Sequence, residues 1–211
     1  MEQGWIGLDE SGKGDYFGPL VVAGVAVTPP LAEQLTAWGV RDSKRISDGR
    51  IEQLDVMIRR ACPFEVIAIG PEKYNELYEK FKNLNHLLAW AHARTLENLL
   101  ERAACLRAIA DQFGDARLIE RALMQRGRTI RLEQRHRAEA DPAVAAASIV
   151  ARAEFVHRLA RLGSEIGCTL PKGASKQVEA AARALVAEHG SDVLGRVAKL
   201  HFRTTQSVVA R

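Results

Sequence analysis

The segment Leu20-Val21-Val22-Ala23-Gly24-Val25-Ala26-Val27 carries no polar side chain. Apolar residues at consecutive positions, rather than alternate ones, fit a central strand of a sheet covered on both faces. A second segment narrows the choice. Ala143 to Leu162 reads as a helix, and its residues Ala145, Ala146, Ala147 and Ser148 are small. Such a helix must approach something flat, such as a sheet, very closely. The chain is therefore expected to be mixed α/β. Its 211 residues, 47% of them hydrophobic, suit a single α/β domain over 1–211, with a helical C-terminal part from about residue 165.

The remaining segments fill in that frame. Trp5 to Asp9 reads as a short strand ending in carboxylates, and Ser11 to Gly14 as turn chemistry. With Leu20–Val27 they form a predicted antiparallel β-hairpin. Ser47 stands at the cap of a helix running to about Ala61, with Ile51, Leu54 and Ile58 on one face. Phe64 to Ile69 is a strand, and Pro71 opens the next helix at its favoured first position. Leu84 to Arg102 is a long helix whose buried stripe is Leu84, Leu88, Ala91, Leu96, Leu99 and Leu100. Leu106 to Ala110 is a strand ending at Asp111, and Thr129 to Leu132 a further strand. From Ser175 onward two helices are expected, the second stopping near Ala198.

The net charge of +4 and the pI of about 9.1 suit a polyanionic partner. The Arg-rich stretch from Arg117 to Arg137 adds to this, though the same charge also fits a plainly basic surface. No segment is a long enough unbroken apolar run for a bilayer span. The start, Met1 to Trp5, lacks a basic-then-apolar signal. A cytoplasmic protein with no membrane association is expected. Cys62, Cys105 and Cys168 are far apart and form no CxxC pair. They are read as buried free thiols rather than zinc ligands or a disulfide framework.

The chemistry resides in acids. Asp9 and Glu10 end the first predicted strand, and Asp111 ends another. Open α/β sheets place ligands beyond strand ends, so a shared acidic pocket is one reading. Strand-end acids serving as turn residues or helix caps is the other. Glu139 and Asp141 precede the Ala-rich helix and offer a further acid. Carboxylates brought together repel unless a cation sits among them. Oxygen donors without His or Cys select Mg²⁺ or Mn²⁺. Two such ions suit phosphodiester hydrolysis. Gly12-Lys13-Gly14 follows directly. It is either a hairpin turn or a bend whose backbone N–H groups face an anion, and it has neither Walker nor GxGxxG spacing.

The segment Asp9-Glu10-Ser11-Gly12-Lys13-Gly14-Asp15-Tyr16-Phe17-Gly18-Pro19-Leu20 resembles the opening motif of the type 2 ribonucleases H. Its Ser-Gly-Lys-Gly form is similar to the ribonuclease HIII class, whereas ribonuclease HII usually has Ala-Gly-Arg-Gly. Arg41-Asp42-Ser43-Lys44, Tyr74-Asn75, Asn83-Leu84-Asn85, Leu88-Ala89-Trp90, Asp111-Gln112-Phe113, Ala143 to Arg152, Leu170 to Ala174 and Lys199 to Phe202 resemble further family elements, in order and over nearly the whole chain.

The resemblance implies a ribonuclease H-like, five-stranded mixed sheet flanked by helices. It implies an endonuclease that cuts the RNA strand of RNA/DNA hybrids with Mg²⁺ or Mn²⁺, leaving 5′-phosphate and 3′-hydroxyl ends, in DNA replication and repair. No obligate protein partner is expected. Carried over by motif, the catalytic and metal-binding acids are Asp9, Glu10, Asp111 and Glu139. The fourth follows from Arg137-Ala138-Glu139, similar to a basic-Ala-Glu element of ribonuclease HIII, with Asp141 as the fallback. Gly12, Lys13 and Gly14 are candidates for reading the 2′-hydroxyl, and Lys44 and Lys172 for holding phosphates.

Two departures matter. Many ribonucleases HIII carry an N-terminal substrate-binding domain, for which a motif starting at Asp9 leaves no room. The Gly-Tyr-Gly-Thr segment of ribonuclease HII is replaced by Leu170-Pro171-Lys172-Gly173, so strict dependence on an RNA-to-DNA junction is not expected. Cleavage at single ribonucleotides embedded in DNA is the first alternative, and a non-catalytic hybrid-binding module the second. Acids at the centre of a pure phosphate-binding surface would repel nucleic acid, which disfavours the latter. Ser148, His86, His92 and Trp90 are read as packing residues. His201 has no assigned role.

Overall fold

The computed structural model describes residues 4–41, 43, 46–111, 117–123 and 127–209. Five strands form one sheet in the order β3-β2-β1-β4-β5. They are β1 (Trp5–Ser11), β2 (Leu20–Val27), β3 (Phe64–Ile69), β4 (Arg107–Asp111) and β5 (Arg131–Arg135). β2 is buried at every position, as an uninterrupted apolar strand next to the sheet centre must be. β4 pairs in parallel with both β1 and β5. The helices are α1 (Pro29–Ala37), α2 (Asp48–Ala61), α3 (Pro71–Phe81), α4 (Leu84–Leu100), α5 (Arg117–Ala122), α6 (Pro142–Glu165), α7 (Lys176–His189), α8 (Val193–Val197) and α9 (Arg203–Val209).

The chain divides into two units. The first comprises Met1–Glu10, Val22–Ile67 and Leu84–Ala153, the second Ser11–Val21, Ala68–Asn83 and Glu154–Arg211. In the first unit the strand pleat sorts side chains between two helices. Ile6 and Leu8 of β1 and Ala108 and Ala110 of β4 pack with Ala89, Ala93, Leu96 and Leu99 of α4. Trp5 and Ile109 go the other way, to Val144 of α6 and to Ala138. Gly7 explains how close α6 comes. A Cβ there would lie 2.1 Å from the Ala143 carbonyl carbon and 2.2 Å from the Val144 nitrogen. The small-residue face of α6 thus meets a strand position that has no side chain at all.

In the second unit Tyr16, Phe17, Tyr74 and Lys199 are fully buried. The Lys199 ammonium donates to the carbonyls of Asp15 and Gly18, each at 2.8 Å. Asn75 donates to the Ala198 carbonyl at 3.0 Å and accepts from the Leu200 N–H at 3.0 Å. Segments far apart in sequence are thereby tied to the stretch after the glycine turn.

Several predicted elements shift. The expected strand Thr129–Leu132 is instead a 3-10 turn over Gly127–Thr129 followed by β5. Helices α1, α5 and α9 were not predicted. They are short and lean on tertiary contacts more than on periodicity. Leu84, Leu100 and Trp90 are half-buried, whereas Leu87, Ala89, His92 and Thr95 join the buried face of α4. The cysteines are free, but only Cys62 is buried. Among the described residues no helix is long and apolar enough to cross a membrane.

Gly7→Ala is expected to lower stability by about 3 kcal/mol, because the obstacle is backbone rather than a yielding side chain. Gly49→Ala, in open space on α2, is expected to be neutral or mildly stabilising. Urea midpoints for the two variants check this.

Candidate active site

Parallel register brings the strand-end acids together. Leu8 of β1 lies opposite Ala110 of β4, so one step further along both strands Asp9 stands beside Asp111. Asp9 shares the pleat parity of Trp5 and Gly7, and Asp111 that of Ile109, so both carboxylates are directed to the α6 side. Asp111 Oδ1 accepts from the Ala138 N–H at 3.2 Å. Ala138 belongs to the 3-10 turn Ala138–Ala140, which carries Glu139 into the same neighbourhood. Arg137, just before it, holds φ 56° in the left-handed region.

The charge balance is unfavourable without a counter-ion. Burial, then the charge of Glu10, push the Asp9 carboxyl up to about 8. The Asp111 charge adds to this, and hydrogen bonds from the Glu10 N–H and the Ser148 hydroxyl oppose it. The Glu10 N–H reaches Asp9 Oδ1 at 2.8 Å. Ser148 in turn lies 2.6 Å from Ser43, and both hydroxyls are buried. Ser148 is therefore more than the small packing residue expected, since its hydroxyl serves Asp9.

Glu10 departs on the opposite side of the pleat from Asp9. Its Oε2 meets His92 Nε2 at 3.0 Å, with His92 fully buried and 11% of the Glu10 side chain exposed. The expectation of His92 as a packing residue is incomplete in the same way. A polar residue inside the apolar stripe of α4 was the available signal, because buried polar groups require partners.

The two candidates for the fourth acid differ in their commitments. Asp141 Oδ1 accepts from the Ala143 and Val144 N–H groups at 2.9 and 3.4 Å, the pattern of a helix N-cap. The Trp5 indole N–H also donates to it at 3.0 Å. Glu139 is half-buried and carries no such structural duty. Among the described residues no group of three or more His, Cys, Asp or Glu stands in a metal-ligating arrangement. What is assembled is the Asp9–Asp111 pair, with Glu10 beside Asp9 in sequence and turned toward His92 of α4. Hard oxygen donors whose mutual repulsion raises a carboxyl pKa fit a divalent cation.

The described substrate-binding candidates, Gly12, Lys13, Gly14 and Lys172, fall in the second unit. Gly12 has φ +87°, and a Cβ there would lie 2.2 Å from the Pro19 carbonyl oxygen, so only glycine fits. Gly14 is exposed and open around its Cα. The Gly173 N–H donates to Asp15 Oδ1 at 2.6 Å, and the Tyr16 N–H to the Gly173 carbonyl at 2.9 Å. These bonds join the loop of Lys13 to that of the exposed Lys172. Lys44 lies outside the described residues. The Arg-rich stretch is partly neutralised internally. Arg107, Arg131 and Arg135 converge on Glu133, which weakens the inference drawn from its charge.

A family model described as Ribonuclease HII matches residues 6–205. The chain belongs to the ribonuclease HII family. It is thus an enzyme, a hydrolase of the ribonuclease H kind. Ribonuclease HIII of Protochlamydia amoebophila is 46% identical over 206 residues, covering 98% of this chain and 68% of the relative. Ribonuclease HIII of Chlamydia pneumoniae is 44% identical over 96% of this chain and 69% of the relative. The solved structure of Bst-RNase HIII in complex with Mn²⁺ superposes with a TM-score of 0.91 at 34% identity, covering 99% of this chain and 70% of that one. Aquifex aeolicus RNase H3 superposes at 0.78 with 32% identity, over 94% of this chain and 72% of that one. The Ser-Gly-Lys-Gly form of the motif agrees with the ribonuclease HIII names of these relatives.

The raised Asp9 carboxyl carries a pH signature. Between pH 4 and 8 the folded state holds a proton that the unfolded state releases, so stability falls as pH rises through that window. In EDTA, Asp9→Asn is therefore expected to raise Tm at pH 8 by about 2–4 °C for each kcal/mol relieved, and to do so less toward pH 4. Calorimetry across that range checks it.

Proposed function

We propose that this chain is an endoribonuclease that hydrolyses the RNA strand of RNA/DNA hybrids using Mg²⁺ or Mn²⁺, giving 5′-phosphate and 3′-hydroxyl ends. Family membership and the ribonuclease HIII relatives carry the activity. The observation that ties it to particular residues is the Asp9–Asp111 pair at adjacent parallel strand ends, with the Asp9 carboxyl pushed up to about 8. The manganese complex of Bst-RNase HIII supports a divalent cation as the cofactor.

Asp9, Glu10, Asp111 and Glu139 are the residues that would hold it. A divalent cation held by these carboxylates would supply Lewis-acid chemistry for phosphodiester hydrolysis. Ser148 holds Asp9 by donating to its carboxylate, and the Ala138 N–H does the same for Asp111. Because the Asp9 carboxyl is raised, holding a cation there would require it to be deprotonated, so cation affinity is expected to rise with pH. Asp141 serves as the helix cap, which favours Glu139 as the fourth acid. Lys13 and Lys172, on loops hydrogen-bonded together, supply ammonium groups for phosphates, which position without reading sequence. Lys44 is assigned the same role by resemblance. Gly12, Lys13 and Gly14 supply backbone groups for the 2′-hydroxyl that distinguishes RNA. The expected compartment is the cytoplasm.

Hydrolysis of a labelled hybrid with Mg²⁺ and Mn²⁺ tests the assignment. Asp111→Asn is expected to abolish cleavage while hybrid binding persists. Glu139→Gln is expected to lower kcat at least about 100-fold, the scale of losing one transition-state charge contact. Asp141→Ala is expected to cost about 1–2 kcal/mol of stability and to leave kcat within a few-fold. A full kcat loss in Asp141→Ala with Glu139→Gln active would reverse the choice of fourth acid. A duplex with one embedded ribonucleotide, cut while a full hybrid is left intact, would replace the hybrid substrate by the junction type.

A further inference from the structure

α4 buries three polar side chains, and two of them are satisfied within the scaffold. The Thr95 hydroxyl donates to the Ala91 carbonyl of its own helix at 2.9 Å. Glu97 accepts from the Gly127 N–H at 2.8 Å. The third, His92, is fully buried and directs Nε2 to Glu10 Oε2 at 3.0 Å. An ionised carboxylate only accepts, so Nε2 is the donor.

The position makes this contact unusual for packing alone. His92 lies one turn from Leu88 and from Leu96 on the stripe that covers Ile6 and Leu8 of β1. An aliphatic side chain would fill that stripe without the penalty of burying a polar ring. On the strand side, the pleat continues from Ile6 and Leu8 to Glu10, so α4 meets an acid where its apolar partners end. Asp9 is held by Ser148 from the α6 side. The adjacent acids are thus each held by a side chain from a different helix, on opposite faces of one strand.

We propose that His92 is a positioning residue that fixes the Glu10 carboxylate at the end of β1 for divalent-cation binding and RNA hydrolysis. This rests on Glu10 belonging to the cation site, as argued above. Glu10 has three rotatable side-chain bonds, and the contact at Oε2 restricts that freedom before a cation arrives. Hydrogen-bonded partners of ligating carboxylates typically contribute about 10–100-fold in metal affinity or activity.

Calorimetric titration of the folded chain with Mn²⁺, without nucleic acid, provides the test. His92→Leu is expected to weaken Mn²⁺ binding about 10–100-fold. The Mn²⁺ concentration for half-maximal hybrid cleavage should rise in parallel, while hybrid affinity in EDTA stays unchanged. His92→Gln, which keeps a donor on the same side, is expected to recover most of the Mn²⁺ affinity and covers the case in which the leucine variant does not fold. In a Glu10→Gln background, His92→Leu should add little further loss. If Glu10→Gln weakens Mn²⁺ binding but neither His92 variant does, and their Tm in EDTA simply falls, His92 is a packing residue and the proposal fails. If Glu10→Gln itself leaves Mn²⁺ binding unchanged, Glu10 lies outside the cation site, and both that assignment and the proposal fall.

Discussion

The parallel pairing of β1 with β4 is the constraint on which the site depends. Once Leu8 is opposite Ala110, the next residue on each strand is an acid, and both acids share a pleat face. The repulsion is built into the register, because no rotation of either strand separates them without unpairing the sheet. Burial first, then the Glu10 charge, with a smaller part from Asp111, drive the Asp9 carboxyl up to about 8. A slip of one residue would send every side chain of β1 to the other face, exchanging Asp9 for Glu10 and placing Leu8 against α6. Gly7 prevents this, since only a residue without a side chain fits under the backbone of Ala143 and Val144.

Around that pair the scaffold supplies hydrogen bonds. Ser148, the Glu10 N–H and the Ala138 N–H all donate to Asp9 or Asp111. Such donors orient carboxylates and partly stabilise their charge, yet leave the net negative charge in place for a metal ion. The arginines of β4 and β5 do the opposite, gathering on Glu133 and forming a local charge cluster of their own. The second unit follows a related plan. Lys199, buried and held down to about 7 by desolvation, spends its N–H groups on backbone carbonyls of the loop after Gly14. His201, without an assigned role in the sequence, stacks on Tyr78 with ring centroids 4.3 Å apart and lies next to Tyr74.

Much of this was legible from residue order. The uninterrupted apolar β2, the proline at the start of α3 and the strand end at Asp111 follow from local rules, whereas β1 runs on past Asp9 to Ser11. The small-residue face of α6 predicted close contact with a sheet, and Gly7 is its counterpart. The short helices α1, α5 and α9 were missed because a few turns carry little periodic signal. The choice between Glu139 and Asp141 was open because two acids two residues apart differ in sequence only by position. Their hydrogen bonds separate them, since Asp141 caps α6 and holds Trp5.

The sequence by itself determined the kind of chemistry. Acids at strand ends beside a glycine turn, within a family-like order of motifs, are one-dimensional facts that survive any rearrangement of loops. Only the tertiary structure decided how those acids are held. Which helix faces which side of a strand depends on packing between residues more than eighty positions apart, as with Glu10 and His92. No periodicity along the chain encodes that pairing, because the partners meet only when α4 and α6 close over opposite faces of the same sheet.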